Sequence, residues 1–336
     1  MMRVVQTRLY TINNFCLFCL HERRPQIILN LWPFTKISKK KGDTLMSYNE
    51  VPNRIAEKYS KMTKSEKRIA DYFLEQKRDL QLTSITELAE QCSVADSTIF
   101  RFCKMLGYNG YNDFKIAIAK EQGRVQGTSD AEGKEFDIYS SITTEDDIPT
   151  TGQKLAAMYS AALEQTQELL RPTSVEMAAH ILLQSERVYC FGQGGSLITA
   201  MEAWVRFSAV ARHFETIQDT YLQVISATLL TEKDTIWFFS YSGSTKDMAD
   251  ILGQARQRGA KVIVVTRYAK SPATKYADVV LICGSNESPL QSGSIVAKVS
   301  QLFVIDMVYQ EYIRMAPEEC ENNRNLTSQA VANRLL

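Results

Sequence analysis

The apolar positions of this chain follow two rhythms. Between Asn49 and Gln122 they recur three and four residues apart in short runs, the period of small amphipathic helices. From about Gln153 to Arg314 helical runs alternate with short stretches that are apolar throughout, which is how strands covered on both faces by helices read. The spacing predicts helices over Lys154–Leu170, Val175–Leu183, Ser196–Ala209 and Ile295–Arg314. Strands are expected at Arg187–Phe191, His213–Ile217, Thr235–Phe239, Lys261–Thr266 and Asp278–Cys283. A parallel sheet of about five strands follows, with ligands expected at the strands' carboxyl ends.

In the first region, Thr63-Lys-Ser-Glu66 and Ser84-Ile-Thr-Glu87 each place a hydroxyl three residues ahead of a glutamate, a reciprocal capping pattern. They open runs at Lys64–Glu75 and Ile85–Gln91. The second run leads into Ala89, Val94 and Ile99, whose spacing suits two helices crossing at a tight turn: small at the crossing, apolar leaving the turn, branched on the inner face. Ser93 stands where glycine is common. The second helix is expected from about Ser97 to Leu106, capped by Asp96 or Ser97 and stopped by Gly107. Its apolar residues Ile99, Phe102, Cys103 and Leu106 share one face, so Ser97, Thr98, Phe100, Arg101 and Lys104 point outward. That face suits a major groove, with Arg101 on a guanine edge and Phe100 on a thymine methyl.

In the second region, the apolar run Ile236–Phe239 stops at Ser240-Tyr241-Ser242-Gly243-Ser244-Thr245, ahead of a helix expected to begin near Thr245. Gly243 permits close backbone approach, and the hydroxyls lie beside the unpaired N–H groups of a helix start, which suits a phosphate. Read alone, the same residues equally suit simple helix capping. A second glycine-rich turn, Gly192-Gln193-Gly194-Gly195-Ser196, follows the first strand. It departs from a dinucleotide fingerprint because Leu197 stands at the third glycine, even though Glu215 lies about where a ribose-binding acid belongs. Ser196 and the Ser240–Thr245 loop can serve one small phosphorylated ligand.

Composition changes the picture at the ends and between the two regions. Eight of the 39 Lys and Arg residues lie in the first 45 positions, against only Glu22 and Asp43 there. The apolar patches in that stretch fall short of the ~20 residues that span a bilayer. Lys40-Lys41-Gly42-Asp43-Thr44-Leu45-Met46 can be encoded by a ribosome-binding sequence before a start codon, so residues 1–45 are expected to be non-native or disordered and Met46 the initiator. Residues 123–151, with Gly, Ser, Thr and acidic side chains and no helical period, read as a linker, and 317–336 as a tail. Seven scattered cysteines form no disulfide framework and favour the cytoplasm; Cys16 and Cys19 with His21 lack a second ligand pair for zinc. Neither a metal nor an organic cofactor is called for.

With these residues in hand, the chain resembles the RpiR-type transcriptional regulators, an all-α helix-turn-helix domain followed by an α/β doubly wound SIS (sugar isomerase) domain. The likeness runs from about Tyr48 to Arg314 and is carried by Thr98–Tyr108, Ser240–Thr245 and Phe191–Ser196. It implies a helix-turn-helix domain over 46–122 and a SIS domain over 152–316. It further implies an operator in double-stranded DNA, a sugar-phosphate effector and a homodimer or homotetramer. Ser196, Ser240, Ser242 and Thr245 are then the phosphate contacts, Tyr241, Gly243 and Ser244 their neighbours, and Glu287, with Ser288, a weaker candidate beside the sugar. The alternative is a sugar-phosphate isomerase, which needs a base. His180 reads as helix packing, His213 as a strand-edge residue, and Glu287 stands without a paired acid. No catalytic residue is assigned.

Overall fold

A computed structural model describes residues 50–75, 83–126, 142–284, 294–332 and 334 of the chain. Met46, Cys16, Cys19, His21, Glu287 and Ser288 lie outside the described residues. So do residues 127–141, the middle of the expected linker; helical backbone runs up to 126 and resumes at 148.

Among the described residues the N-terminal part is a bundle of five α-helices: α1 (Glu50–Lys58), α2 (Lys64–Glu75), α3 (Ile85–Gln91), α4 (Asp96–Met105) and α5 (Tyr111–Gln126). Both capping patterns form. Thr63 and Glu66 exchange bonds of 2.8 and 3.3 Å, and Ser84 and Glu87 bonds of 2.9 and 3.1 Å. Ile99, Phe102 and Cys103 of α4 are fully buried, where Phe102 and Tyr108 meet Phe114 edge to face at 6.1 and 5.3 Å. Such pairs add about 0.5–1.5 kcal/mol each beyond the area they bury.

The C-terminal part alternates strand and helix. Two helices, α6 (Ile148–Leu169) and α7 (Pro172–Gln184), precede β1 (Arg187–Gly192), α8 (Gly195–Ser208), β2 (Phe214–Thr216), α9 (Thr220–Thr228) and β3 (Asp234–Phe239). Then come α10 (Met248–Gln257), β4 (Lys261–Thr266), β5 (Val279–Ile282), α11 (Ile295–Met315) and α12 (Pro317–Ala332). All strand pairs are parallel, in the order β2-β1-β3-β4-β5. Alternate residues feed two cores. Cys190, Trp237, Phe239, Ile263 and Val265 pack beneath α7, α8 and α11, while Phe191, Ile236, Phe238, Val262 and Val264 pack beneath α9 and α10. Every residue of β3 is buried, which is why its sequence shows no polar alternation.

Several expectations shift. α6 begins at Ile148, six residues before the expected start, because the Asp147 side chain accepts the Thr150 amide at 2.8 Å and Pro149 fits a first turn. α9 was not expected at all; Asp219 caps it at 2.9 Å from the Leu222 amide. The stretch read as a tail forms α12, whose Asn323 and Thr327 donate to the Val210 and Ala209 carbonyls at 2.8 and 2.9 Å.

The two parts touch where α5 meets the turn after β4. Lys115 is 6% exposed and donates to the Thr83 carbonyl at 3.2 Å and the Tyr268 hydroxyl at 3.3 Å. Burial pushes its pKa down from 10.5 to about 8, against an opposing pull from Glu87. Between those values the unfolded chain holds more proton at this residue than the folded one, so its contribution to stability rises with pH. Lys115→Met is therefore expected to stabilise the protein more at pH 7 than at pH 10, the two gains differing by on the order of 1–3 kcal/mol. Denaturant unfolding at both pH values checks this; a gain independent of pH contradicts it.

Candidate functional site

The sheet order places a switch point between β1 and β3. From β1 the chain crosses to β2 on one side, and from β3 to β4 on the other, so a crevice opens beyond their carboxyl ends. Gly192 and Phe239, the last residues of the two strands, are register partners. The Gly192–Ser196 turn and the Ser240–Thr245 loop therefore leave the sheet side by side. No side chain fits at Gly192: a Cβ there would lie 2.7 Å from the Ser196 carbonyl oxygen and 3.1 Å from that of Phe239. Gln223 fixes the same turn from α9, donating to the Gly192 and Ile217 carbonyls at 3.2 and 2.6 Å.

The loop after β3 is longer than expected. α10 starts at Met248 with Asp247 in the cap position, not near Thr245, so none of the four hydroxyls caps it. They are organised among themselves. Ser240 Oγ and Thr245 Oγ1 lie 3.1 Å apart, and Ser242 Oγ accepts the Ser244 amide at 3.3 Å. Gly243 adopts φ +60°, a conformation costly for any residue with a Cβ. Ser240 is buried, while Tyr241, Ser242, Ser244 and Thr245 are half-buried, as is Ser196 in the first turn of α8. The N-terminal ends of α8 and α10 follow these two loops, and a helix N-terminus carries partial positive charge.

Residues beyond the expected set complete the crevice. Thr266 Oγ1 and the Arg267 amide both donate to the Tyr241 carbonyl at 3.0 Å, and the Ala273 amide donates to the Gly243 carbonyl at 2.9 Å. Both amide atoms of Gln193 are buried with no hydrogen-bond partner among the described residues. In sequence Gln193 is merely the second residue of a glycine-rich turn, and only the fold reveals its unspent polarity. His180, expected to pack, is exposed and pairs with Gln184 at 3.1 Å, because the inward positions of α7 are taken by Val175, Ala178, Ala179 and Leu182. His213 precedes β2, at the amino end of the sheet, with Nε2 3.1 Å from the Leu182 carbonyl and burial holding its pKa down. Glu287 lies outside the described residues.

The helix-turn-helix geometry forms as spaced. Ala89 and Ile99 are buried, and Ser93 takes φ +53° at the turn, the glycine-like conformation its position called for. The second helix starts one residue earlier than expected. Ala95 is its cap without a side-chain bond, since the Asp96 carboxylate is taken by Thr86 Oγ1 at 3.0 Å and Lys275 Nζ at 2.6 Å. Gly107 (φ +93°) ends it in a Schellman motif, with amides of Gly107 and Tyr108 each 3.0 Å from the Lys104 and Cys103 carbonyls. Ser97, Arg101 and Lys104 are exposed, Phe100 is 45% exposed and Thr98 half-buried. Lys104 Nζ sits 5.7 Å from the Phe100 ring centre. The set is one continuous outward face.

A helix-turn-helix module followed by a doubly wound α/β domain with paired glycine–hydroxyl loops defines the class of protein. Residues 49–124 match the helix-turn-helix domain of the rpiR family, and residues 181–310 match the SIS domain. An uncharacterized HTH-type transcriptional regulator of Haemophilus influenzae is 32% identical over 259 residues, covering 77% of this chain and 88% of that protein. A second, from Caldanaerobacter subterraneus, is 32% identical over 76% of this chain and 87% of its own length. Among solved structures, the Vibrio vulnificus NanR protein complexed with ManNAc-6P superposes with a TM-score of 0.72 at 24% identity, over 84% of this chain and 98% of that one. The chain belongs to the RpiR family of HTH-type transcriptional regulators.

The crevice depends on Gly192. Gly192→Ala is expected to cost about 2–4 kcal/mol, because the displaced atoms are backbone and cannot swing away. Equilibrium denaturation measures it, and a cost under about 0.5 kcal/mol contradicts the packing described.

Proposed function

We propose that this regulator binds an operator in double-stranded DNA through α4 and senses a sugar phosphate in the crevice between β1 and β3, adjusting genes of carbohydrate metabolism to the level of that metabolite. One observation carries the sensing half of the reading: four hydroxyls crowd a loop at the switch point without capping the helix that follows. Ser196, Ser240, Ser242 and Thr245 hold the phosphate, with Tyr241, Gly243 and Ser244 shaping the loop. Gln193, with both amide atoms unspent, is added as a partner for the ligand. Glu287 keeps its place as a candidate beside the sugar. NanR, which shares this fold, was solved with a phosphorylated amino sugar, which supports the ligand class.

On the DNA side, Arg101 reads a base edge, Phe100 meets a methyl group, and Ser97, Thr98 and Lys104 hold phosphates or bases. A single module of this size gives modest specificity, so a homodimer or homotetramer places two such helices on a near-palindromic site in the cytoplasm. We take residues 46–122 as the core of the DNA-binding domain and 152–316 as the core of the effector domain; α5 and α6 run past these bounds into the 123–151 linker, and α12 of the 317–336 stretch packs on the effector domain. The effector acts by linkage, binding one arrangement of the paired domains more tightly than another.

An isomerase on this scaffold needs a proton-transferring base within reach of the ligand carbon. Neither described histidine lies at the carboxyl ends of the strands, which favours a sensor over a catalyst. Incubating the protein with hexose 6-phosphates and following interconversion tests this; measurable turnover overturns the regulator-only reading.

Two variants separate the activities. Arg101→Ala is expected to lose about 1–3 kcal/mol of operator binding, roughly 5- to 150-fold, with ligand binding intact. Ser242→Ala with Thr245→Ala is expected to keep operator binding and lose the response to sugar phosphates. Fluorescence-anisotropy titrations with and without ligand measure both, and a normal response in the double variant places the phosphate elsewhere.

A further inference from the structure

The phosphate loop and the recognition helix are joined by a third segment, residues 266–275, which starts at the last residue of β4. One side of this segment closes the loop. It supplies the Thr266, Arg267 and Ala273 bonds to the Tyr241 and Gly243 carbonyls. Ser271 presses on Gly243 so closely that a Cβ there would fall 2.2 Å from the Ser271 hydroxyl. The other side holds both helices of the helix-turn-helix. Ser84, the cap of α3, donates its hydroxyl to the Lys270 carbonyl. Lys270 Nζ lies 2.5 Å from Glu90 near the end of α3, and Lys275 Nζ lies 2.6 Å from Asp96, the first residue of α4. Behind them, Tyr268 receives the buried Lys115 ammonium.

The segment is itself stiff. Thr274 Oγ1 accepts the Ser271 amide at 3.0 Å and donates to the Ser271 carbonyl at 2.9 Å, and Ala273–Lys275 form a 3₁₀ turn. Movement at Ser271 therefore moves Lys270 and Lys275 with it. The charges involved also matter to DNA. Glu90 and Asp96 lie on the two helices that approach DNA, where unpaired carboxylates would repel phosphates; the two lysines neutralise them.

We infer that residues 266–275 are the coupling element of this regulator, passing a displacement of the Ser240–Thr245 loop through Ser271 and Ala273 to Lys270 and Lys275, and so to α3 and the N-terminal end of α4. For its ligand this rests on the phosphate-sensing reading above; the mechanical link stands on the contacts alone. Coupling carried by such contacts is reciprocal, so disturbing either end must be felt at the other.

Amide hydrogen exchange on the full chain tests it. Gly243→Ala pushes on Ser271 and is expected to speed exchange across residues 84–100 by about five-fold or more, with the β1 and β3 peptides still protected. Lys270→Ala with Lys275→Ala is expected to do the reverse, speeding exchange at residues 241–248 by a similar factor. Unchanged exchange at residues 84–100 in a folded Gly243→Ala protein overturns the inference. If that variant loses protection in the sheet, unchanged exchange at residues 241–248 in the double lysine variant overturns it. Calorimetric titration of the wild type with inorganic phosphate and hexose 6-phosphates keeps the two readings apart. Exchange that is linked without any ligand heat sinks the phosphate reading and leaves the coupling; ligand heat without linked exchange sinks the coupling alone.

Discussion

The adjacency of β1 and β3 is the constraint on which the rest of the structure depends. Their register puts Gly192 beside Phe239, so two loops far apart in the chain leave the sheet at one place. That register holds because both strands are buried on both faces; a slip by one residue would turn Trp237 and Phe239 out of one core and into the other. Glycine at 192 is then required by the closeness of the two backbones. The hydroxyls of Ser240, Ser242, Ser244 and Thr245 are concentrated at a point where ligands of doubly wound sheets bind, and the helix after them begins too late to need them.

The helical domain obeys a different constraint, an aromatic core in which Phe73, Phe102, Tyr108 and Phe114 meet. With that core filled from one side of α4, its other side is left out of the bundle core among the described residues and presents Arg101, Lys104 and Phe100 outward. Basic side chains also tie down the far end of this helix: Arg54 donates to the Leu106 carbonyl at 3.2 Å, and Lys58 donates to that of Met105. These bonds suit the negative pole of a helix and hold the outward face of α4 at a fixed angle to the bundle. The near end is held by Lys275 through Asp96. One helix thus takes its orientation from its own domain at one terminus and from the α/β part at the other.

What the sequence made legible follows from what local patterns can carry. β4 over Lys261–Thr266, the helices at Lys64–Glu75 and Ile85–Gln91, and both capping pairs were readable because each is decided by neighbours in the chain. The loop after β3 was recognisable for the same reason, since a run of buried strand followed by glycine and hydroxyls needs no distant information. α9 escaped because its outward positions Tyr221, Leu222 and Ile225 are apolar too, so the inward stripe of Gln223, Val224 and Ala227 does not stand out in the sequence. Asp96 stood beside Ser97 as a candidate cap because nothing local shows that Thr86 and Lys275 claim its carboxylate. The buttress of Thr266 and Ser271 under Gly243, and the lysines at 270 and 275, involve residues far apart in sequence, so only the folded chain reveals them.

The central claim is that the loop from Ser240 to Thr245 is a phosphate sensor. Backbone amide chemical shifts on adding a hexose 6-phosphate, compared with the same sugar lacking its phosphate, address it most directly. The account predicts shifts concentrated at Gly195–Leu197 and Tyr241–Lys246 with the phosphorylated sugar and none there with the free sugar; equal responses to both sugars, or shifts confined to other parts of the molecule, would contradict it.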